Sequence, residues 1–251
     1  MGDSRHSIGA TRVLCWFSAG VTSAVAAKIA KDRGPVTIAY CDTGGEHADN
    51  VRFIKDCESW LGQEIIILRS KKYSSVWDVF QKTRYLSGDN GARCTTEMKK
   101  LVRRDFEDLE NDLQVFGFDV SERKRGAKFV ENNPEVKAWF PLIESCFTKQ
   151  DCIDQILKAG IALPAMYTLG YKNNNCIGCV KGQAGYWNKI RIDFPEVFAR
   201  MAKQEREVNA ALCKSYAGDG KRKRIFLDEL PPDLGRYESE LEIKCGLICG
   251  E

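Results

Sequence analysis

Residues 13–23, Val-Leu-Cys-Trp-Phe-Ser-Ala-Gly-Val-Thr-Ser, decide how this chain is read. An apolar run of strand character, Val13 to Phe17, enters a turn of small residues, Ser18-Ala19-Gly20-Val21-Thr22-Ser23. A helical pattern over Ala24 to Lys31 follows at once. A strand that turns directly into a helix aims the free N–H groups and positive dipole end of that helix above the turn, where they attract an anion. Gly20 permits close backbone approach, and Ser18, Thr22 and Ser23 add hydroxyls. No Gly-Lys-Ser/Thr follows, so the turn is not a Walker loop. Alone, such a turn is as often a plain connection as a binding loop, and the rest of the chain decides between the two.

Outward from the turn, Val36 to Cys41 is a second short apolar strand ending at Asp42-Thr43-Gly44-Gly45-Glu46. Val51, Phe53, Ile54, Cys57 and Leu61 then recur at helical spacing. A third strand, Glu64 to Leu68, is continuously apolar from Ile65, the pattern of a parallel strand covered on both faces. Residues 12–68 therefore read β-α-β-α-β, which predicts an α/β fold with a doubly wound, mostly parallel sheet. Ligands of such sheets lie at the carboxyl ends of the strands, where the Ser18 and Asp42 loops both fall. Further on, the patterns predict helices over Tyr73–Phe80, Thr95–Leu109, Lys149–Ala159 and Phe194–Cys213, and a fourth strand over Leu113–Phe118. Residues 119–135 read as polar, charged and mobile, 218–224 as a basic loop and 227–236 as Pro-rich.

The chain has 251 residues and a formal net charge of +3, too small to argue nucleic-acid binding by itself. No apolar run reaches the roughly 20 residues of a membrane span, and the first residues lack the apolar core of a signal peptide. The expectation is a cytoplasmic protein with no membrane partner. Its 11 cysteines, an odd number, are then reduced thiols rather than disulfides. Cys15, Cys41, Cys57, Cys146, Cys152 and Cys213 stand in apolar or helical contexts and read as buried small hydrophobes. Cys94, Cys176, Cys179, Cys245 and Cys249 stand in loops beside Gly, Asn, Arg or Thr and are the candidates for chemistry.

Cys176-Ile177-Gly178-Cys179 is the most specific local signal, because the glycine lets one turn bring two sulfurs to one ion or cluster. A closed zinc site needs four ligands, and the only histidines are His6 and His47. Iron–sulfur clusters also take cysteine thiolates, and Cys94 with the pair supplies three, the fourth being Cys245, Cys249 or an open position. Cys94, beside Arg93 at a helix start, has the setting of a ligand or nucleophile. Glu122 and Arg125 follow the fourth strand, and Arg pairs bidentately with phosphate or sulfate oxygens. Cys245 lies in a glycine-flanked tail that can fold over a site and present a thiol.

In order, FSAGVTS, DTGGE, RCT with Lys99, Gly117 with Glu122 and Arg125, CIGC and a terminal CGL resemble the phosphoadenosine phosphosulfate (PAPS) reductase family of the pyrophosphate-loop, adenine-nucleotide alpha-hydrolase superfamily. The superfamily loop is usually written Ser-Gly-Gly-x-Asp-Ser; here Ala19 replaces one Gly and Thr22 the Asp. The resemblance implies an adenine-nucleotide-binding α/β domain over 1–145 and a helical, Cys-rich region over 146–251. It implies that Ser18, Gly20, Val21, Thr22, Ser23, Asp42, Thr43, Gly44, Glu46, Arg93 and Glu122 hold the nucleotide (PAPS, adenosine phosphosulfate or ATP). Lys99 and Arg125 would serve the sulfate or phosphate, and Cys245 would be the thiol that attacks sulfate sulfur. Cys94, Cys176, Cys179 and Cys249 would hold a [4Fe-4S] cluster in preference to zinc. Two departures matter: cluster-bearing sulfonucleotide reductases carry an adjacent Cys-Cys pair where Thr95 follows Cys94, and their Glu-Cys-Gly-Leu/Ile-His tail here has Lys244 before the thiol. Sulfonucleotide reduction or related sulfur transfer, with a thiol reductant protein as partner, is therefore the leading reading. ATP- and Mg-dependent thiolation of a tRNA or DNA base is the second. A metal-stabilised nucleic-acid-binding module using Lys221–Arg224 is the third, and self-association into a homo-oligomer stays open under each.

Overall fold

The computed structural model describes residues 11–88, 91–216 and 222–245, the side chains of 215, 216 and 222 excepted. In chain order, β1 (Arg12–Phe17), α1 (Val21–Asp32), β2 (Thr37–Asp42), α2 (Asn50–Leu61), β3 (Ile66–Arg69), α3 (Val76–Thr83), β4 (Asp112–Phe116) and β5 (Lys137–Trp139) build the α/β half. The five strands lie in the order β3-β2-β1-β4-β5, every pairing parallel. The order reverses direction beside β1, so the carboxyl ends of β1 and β4 flank the crevice where such sheets bind ligands. The predicted doubly wound parallel sheet is the one observed.

Alternation along β1 sends Val13, Cys15 and Phe17 to a core shared with α1 and α2, and Leu14 and Trp16 to a second one shared with Phe116, Phe118 and Phe129. After α4 (Arg123–Asn132) and α5 (Lys149–Lys158), a third core gathers around Trp187 between α6 (Ala184–Asp193) and α7 (Pro195–Val208), and takes in Trp77 and Phe80 of α3. Among the described residues no helix is long and apolar enough to cross a membrane.

Several expectations are corrected. Residues 119–135 are ordered: a single turn over Val120–Glu122 leads into α4 (Arg123–Asn132). Its one large buried side chain, Phe129, packs at 4.9 Å on the Phe116 ring, an anchor masked in the sequence by the surrounding Lys and Arg. β3 lies at the sheet edge and leaves Ile66 and Ile67 partly exposed, because only a strand with neighbours on both sides is fully covered. The helix predicted over 95–109 runs over 93–104 and is widened by a π turn at Thr96–Lys100. The last long helix stops at Val208, where Asn209 turns left-handed (φ 54°). The basic stretch, where described, is a hairpin: β6 (Cys213–Tyr216) pairs antiparallel with β7 (Arg222–Ile225). Cys146 is exposed, at a left-handed turn position (φ 55°), whereas Cys15, Cys41, Cys57, Cys152 and Cys213 are buried as expected.

The hairpin is fixed from within. Glu205 of α7 is fully buried, and its carboxylate accepts from Leu212 N at 2.5 Å and Leu227 N at 2.6 Å, clamping both ends of the hairpin. Burial pushes its carboxyl up from the ordinary 4.5 to about 7. A raised carboxyl contributes stability that is full below pH 4.5 and lost as pH rises toward about 7. Glu205→Gln puts an amide N–H against a backbone donor, so it is expected to cost about 1–3 kcal/mol. Urea unfolding should show that loss and the absence of this group's share of the pH slope.

Candidate active site

The turn after β1 is built from its own side chains. Buried Ser23 Oγ accepts from Ser18 N and from Ser18 Oγ, both at 3.0 Å, and donates to Gly20 O at 2.9 Å. Ser23 therefore shapes the loop, while exposed Ser18 and partly buried Thr22 face the cleft. Gly20 caps α1 in extended conformation without a side-chain cap, and the first turn carries no acidic residue, so the positive end of the helix is left unneutralised. Ala19 holds a left-handed φ of 56°, which costs a non-glycine residue about 1–2 kcal/mol; Asn174 Nδ2 restrains it by donating to its carbonyl at 2.7 Å. A Cβ on Gly117 would lie 2.7 Å from the Ser23 backbone, so only glycine lets the exit of β4 pack on this turn.

Between the Ser18 turn and the exit of β4 lies a cleft that Lys99, Asp119, Glu122, Arg125, Lys149 and residues 242–245 also line. Arg125 stacks 4.2 Å from the Phe118 ring and pairs with Glu122 at 2.6 Å. Lys244 pairs with the same carboxylate at 3.0 Å, and Lys149 reaches Glu242 at 3.2 Å. Burial would raise the Glu122 carboxyl, but Lys244 and Arg125 outweigh it and hold it below its ordinary range. Asn173 and Asn175 donate to Ile243 O at 3.3 and 2.8 Å, and Lys181 donates to Lys244 O at 3.0 Å. Ion pairs on two sides and these donors latch the tail across the cleft and deliver Cys245 to its inner end.

There the cleft meets a second pocket, lined by the four thiols of Cys94, Cys176, Cys179 and Cys245 among Val76, Phe80 and Val180. Lys99, Asn175 and Cys245 line both spaces. The π turn carries Lys99, a device that recurs at functional sites. Thr95 Oγ1 stands 3.8 Å from Cys245 Sγ. Cys176 Sγ lies 3.1 Å from Thr43 Oγ1 and 3.6 Å from Glu46 Oε1. Gly178 turns at φ 73°, and a Cβ there would lie 2.7 Å from Val197 Cγ1 and 3.2 Å from the Trp187 ring. The glycine of the CIGC turn is thus required both by its conformation and by the packing beneath it.

The electrostatics divide the thiols. Burial pushes Cys179 up to about 11 and raises Cys94 and Cys176 as well. Burial acts the same way on Cys245, but the ammonium groups of Lys99 and Lys181 and the Thr95 hydroxyl overcome it and hold this thiol below its ordinary value. Lys99 is the counterpart: burial opposes its charge, and Cys245, Cys176 and Glu46 more than restore it. Cys245 is therefore the thiol favoured as thiolate. Among the described residues no three His, Cys, Asp or Glu side chains form a set arranged around a metal ion.

The sheet order, the turn and the cleft can be set beside known structures. Phosphoadenylyl-sulfate (PAPS) reductase from Candida auris, solved as a phosphate complex, superposes with a TM-score of 0.52 at 16% identity, over 66% of this chain and 81% of that one. The chain has the fold of a PAPS reductase. No protein-family model and no curated protein matches it.

On this PAPS reductase fold the candidate residues separate into groups. Ser18, Gly20, Thr22, Ser23, Lys99, Glu122, Arg125 and Cys245 gather on the cleft, and Thr43, Cys94, Cys176 and Cys179 on the adjoining pocket. Glu46 reaches that pocket through Cys176. Val21 is buried in the core, and Gly44 (φ 62°) packs on Ser75. Asp42 pairs with Arg69 at 2.9 Å and accepts from Gly44 N at 3.0 Å. Arg93 pairs with buried Glu97 at 2.7 Å and does not line the cleft. Cys249 lies outside the described residues. Lys149, Asn173, Asn174, Asn175 and Lys181 had no role in the sequence reading, although the Asn run adjoining CIGC was a signal for it.

Proposed function

We propose that this chain is a PAPS-reductase-like enzyme that binds an adenine nucleotide and reduces its sulfonate, or transfers sulfur, through the Cys245 thiol. One observation carries the reading: Cys245, the one thiol among the described residues held toward thiolate, stands with Lys99 where the cleft at the α1 N-terminus meets the cysteine pocket. Ser18, Thr22 and the N-terminus of α1 would hold the nucleotide phosphates, and Lys99 would face the sulfonate beside Cys245. Arg125 would take a further phosphate once released from Glu122. In the step, the Cys245 thiolate attacks the sulfonate sulfur and an S–S bond forms. The sulfur–oxygen bond to the nucleotide breaks, and its electron pair leaves on the phosphate oxygen. A second thiol, from a reductant protein, then attacks Cys245 sulfur and releases sulfite.

The adjoining pocket is lined by four thiols, the ligand type of an iron–sulfur cluster, together with Thr43, Thr95, Lys99, Asn175 and Lys181. Cys94, Cys176 and Cys179 would hold it, and the bound cluster would supply redox-active iron beside the reacting thiol. Calorimetry with PAPS, adenosine phosphosulfate and ATP, together with iron and sulfide analysis after anaerobic purification, tests the reading. Micromolar binding of a sulfonucleotide is expected. Ser23→Ala, which removes three hydrogen bonds from the turn, should weaken it at least about tenfold, at roughly 0.5–1.5 kcal/mol per bond. Absence of adenine-nucleotide binding would overturn the proposal.

A further inference from the structure

The hairpin that carries the basic stretch forms one wall of an open groove on the far side of the cysteine pocket. Lys181, Lys214, Arg224 and Arg236 all line it. None of the four meets a carboxylate among the described residues: Lys181 donates to Lys244 O at 3.0 Å, and Arg224 to the carbonyls of Ala211 and Leu212 at 3.1 and 3.2 Å. Among the described residues the one carboxylate in the lining, Glu240, is turned inward and accepts from Gly185 N at 2.6 Å and Tyr186 N at 3.1 Å. Four cationic side chains thus line the groove, and among the described residues no carboxylate is directed into it.

The register of the hairpin sharpens this. Lys214 and Arg224 are direct cross-strand partners. Like charges opposite one another on a strand pair are destabilising, and the arrangement gains a rationale when an anion lies between them. Gly88, Gly91, Gly182 and Gly235 are among the residues that line the groove, so a sugar–phosphate chain can approach the backbone closely there. Among the described side chains no aromatic lines it, so the anchors on which protein partners usually depend are missing from this part of the surface. Ala92, Val180 and Lys181 line both the groove and the cysteine pocket, so a bound chain would run along the outer wall of the reactive site.

We infer that this groove binds the phosphodiester backbone of a nucleic acid. The inference stands apart from the adenine-nucleotide reading, since no groove cation lies in the cleft. If it holds, a nucleic-acid base becomes a candidate acceptor for sulfur chemistry at Cys245.

Fluorescence anisotropy of the full-length chain with labelled single-stranded RNA, single-stranded DNA and duplex tests it. Dissociation constants in the range of about 10⁻⁶ to 10⁻⁴ M are expected at physiological salt, with a log–log salt slope near −3 for four neutralised phosphates on a single strand. Lys214→Glu with Arg236→Glu, two exposed positions, should weaken binding at least tenfold. The thermal midpoint and the calorimetric affinity for PAPS and ATP should be unchanged. The Lys214→Gln, Arg236→Gln pair should weaken binding less and flatten the slope by about 1.4, which keeps the test open should the charge reversal disturb the hairpin. No binding of any oligonucleotide at low salt, or equal affinity in both variants, would overturn the inference. So would a poly-aspartate peptide that binds where oligonucleotides do not, since the surface would then belong to an acidic protein.

Discussion

Cys245→Ser is expected to abolish sulfite release from a sulfonucleotide, by at least about 10³-fold, as loss of a nucleophile does. The nucleotide affinity should survive, because the cleft keeps Ser18, Thr22, Lys99 and Arg125. The latch should survive as well: Lys244 still pairs with Glu122, Lys149 with Glu242, and Asn175 still donates to Ile243 O. Mass spectrometry of the unaltered chain after incubation with PAPS or adenosine phosphosulfate, without reductant, should show a sulfonate on Cys245. No such adduct should form in the Ser variant. If neither compound gives an adduct and ATP is instead split to AMP and pyrophosphate when a nucleic acid is supplied, the reductase reading gives way to ATP-dependent thiolation.

Lys99→Met carries the second large effect, and its sign follows from the charges around Cys245. Burial favours the neutral thiol, and the Lys99 ammonium is the largest influence opposing it. With Lys99 present the thiol loses its proton below its ordinary value, so alkylation by iodoacetamide should level off below the pH at which a free cysteine does. Removal of the ammonium leaves burial dominant and moves the rise to higher pH. Loss of a charge-assisted contact to the sulfonate, about 1.5–3 kcal/mol, adds a tens-fold to hundredfold loss in kcat/KM at neutral pH. Lys99→Arg keeps the charge and should restore the alkylation profile more fully than the turnover. An alkylation profile that does not move in Lys99→Met would remove Lys99 as the group that activates Cys245.

Much of the sheet was legible because its signals are local. The apolar run Val13–Phe17 followed by small residues specifies a strand, a tight turn and a helix start within a dozen positions, and the next two strands repeat the pattern. β5 was not legible, since three residues, Lys137–Trp139, are too few to show a period. α4 was not legible either, because ten residues, five of them charged, conceal a single anchor, Phe129, whose partners on β4 and at Phe140 are distant in sequence. The ends of the helix over 93–104 depend on a π turn that propensity does not encode.

Local sequence was enough to specify the residue types of the site: the hydroxyl-rich turn at a helix N-terminus, the CIGC turn whose glycine permits φ 73°, and a thiol in the tail. Each follows from backbone geometry within a few residues. Only the tertiary structure decided how they combine. It placed Cys245 at the junction of cleft and pocket through ion pairs to Glu122 and Lys149, residues 123 and 96 positions away from it. It gave Ser23 to the turn's own hydrogen bonds and Arg93 to Glu97. It also set Lys214 opposite Arg224 and beside Lys181 and Arg236. Charge and thiol chemistry depend on distances of a few ångströms, and those distances are set by long-range packing.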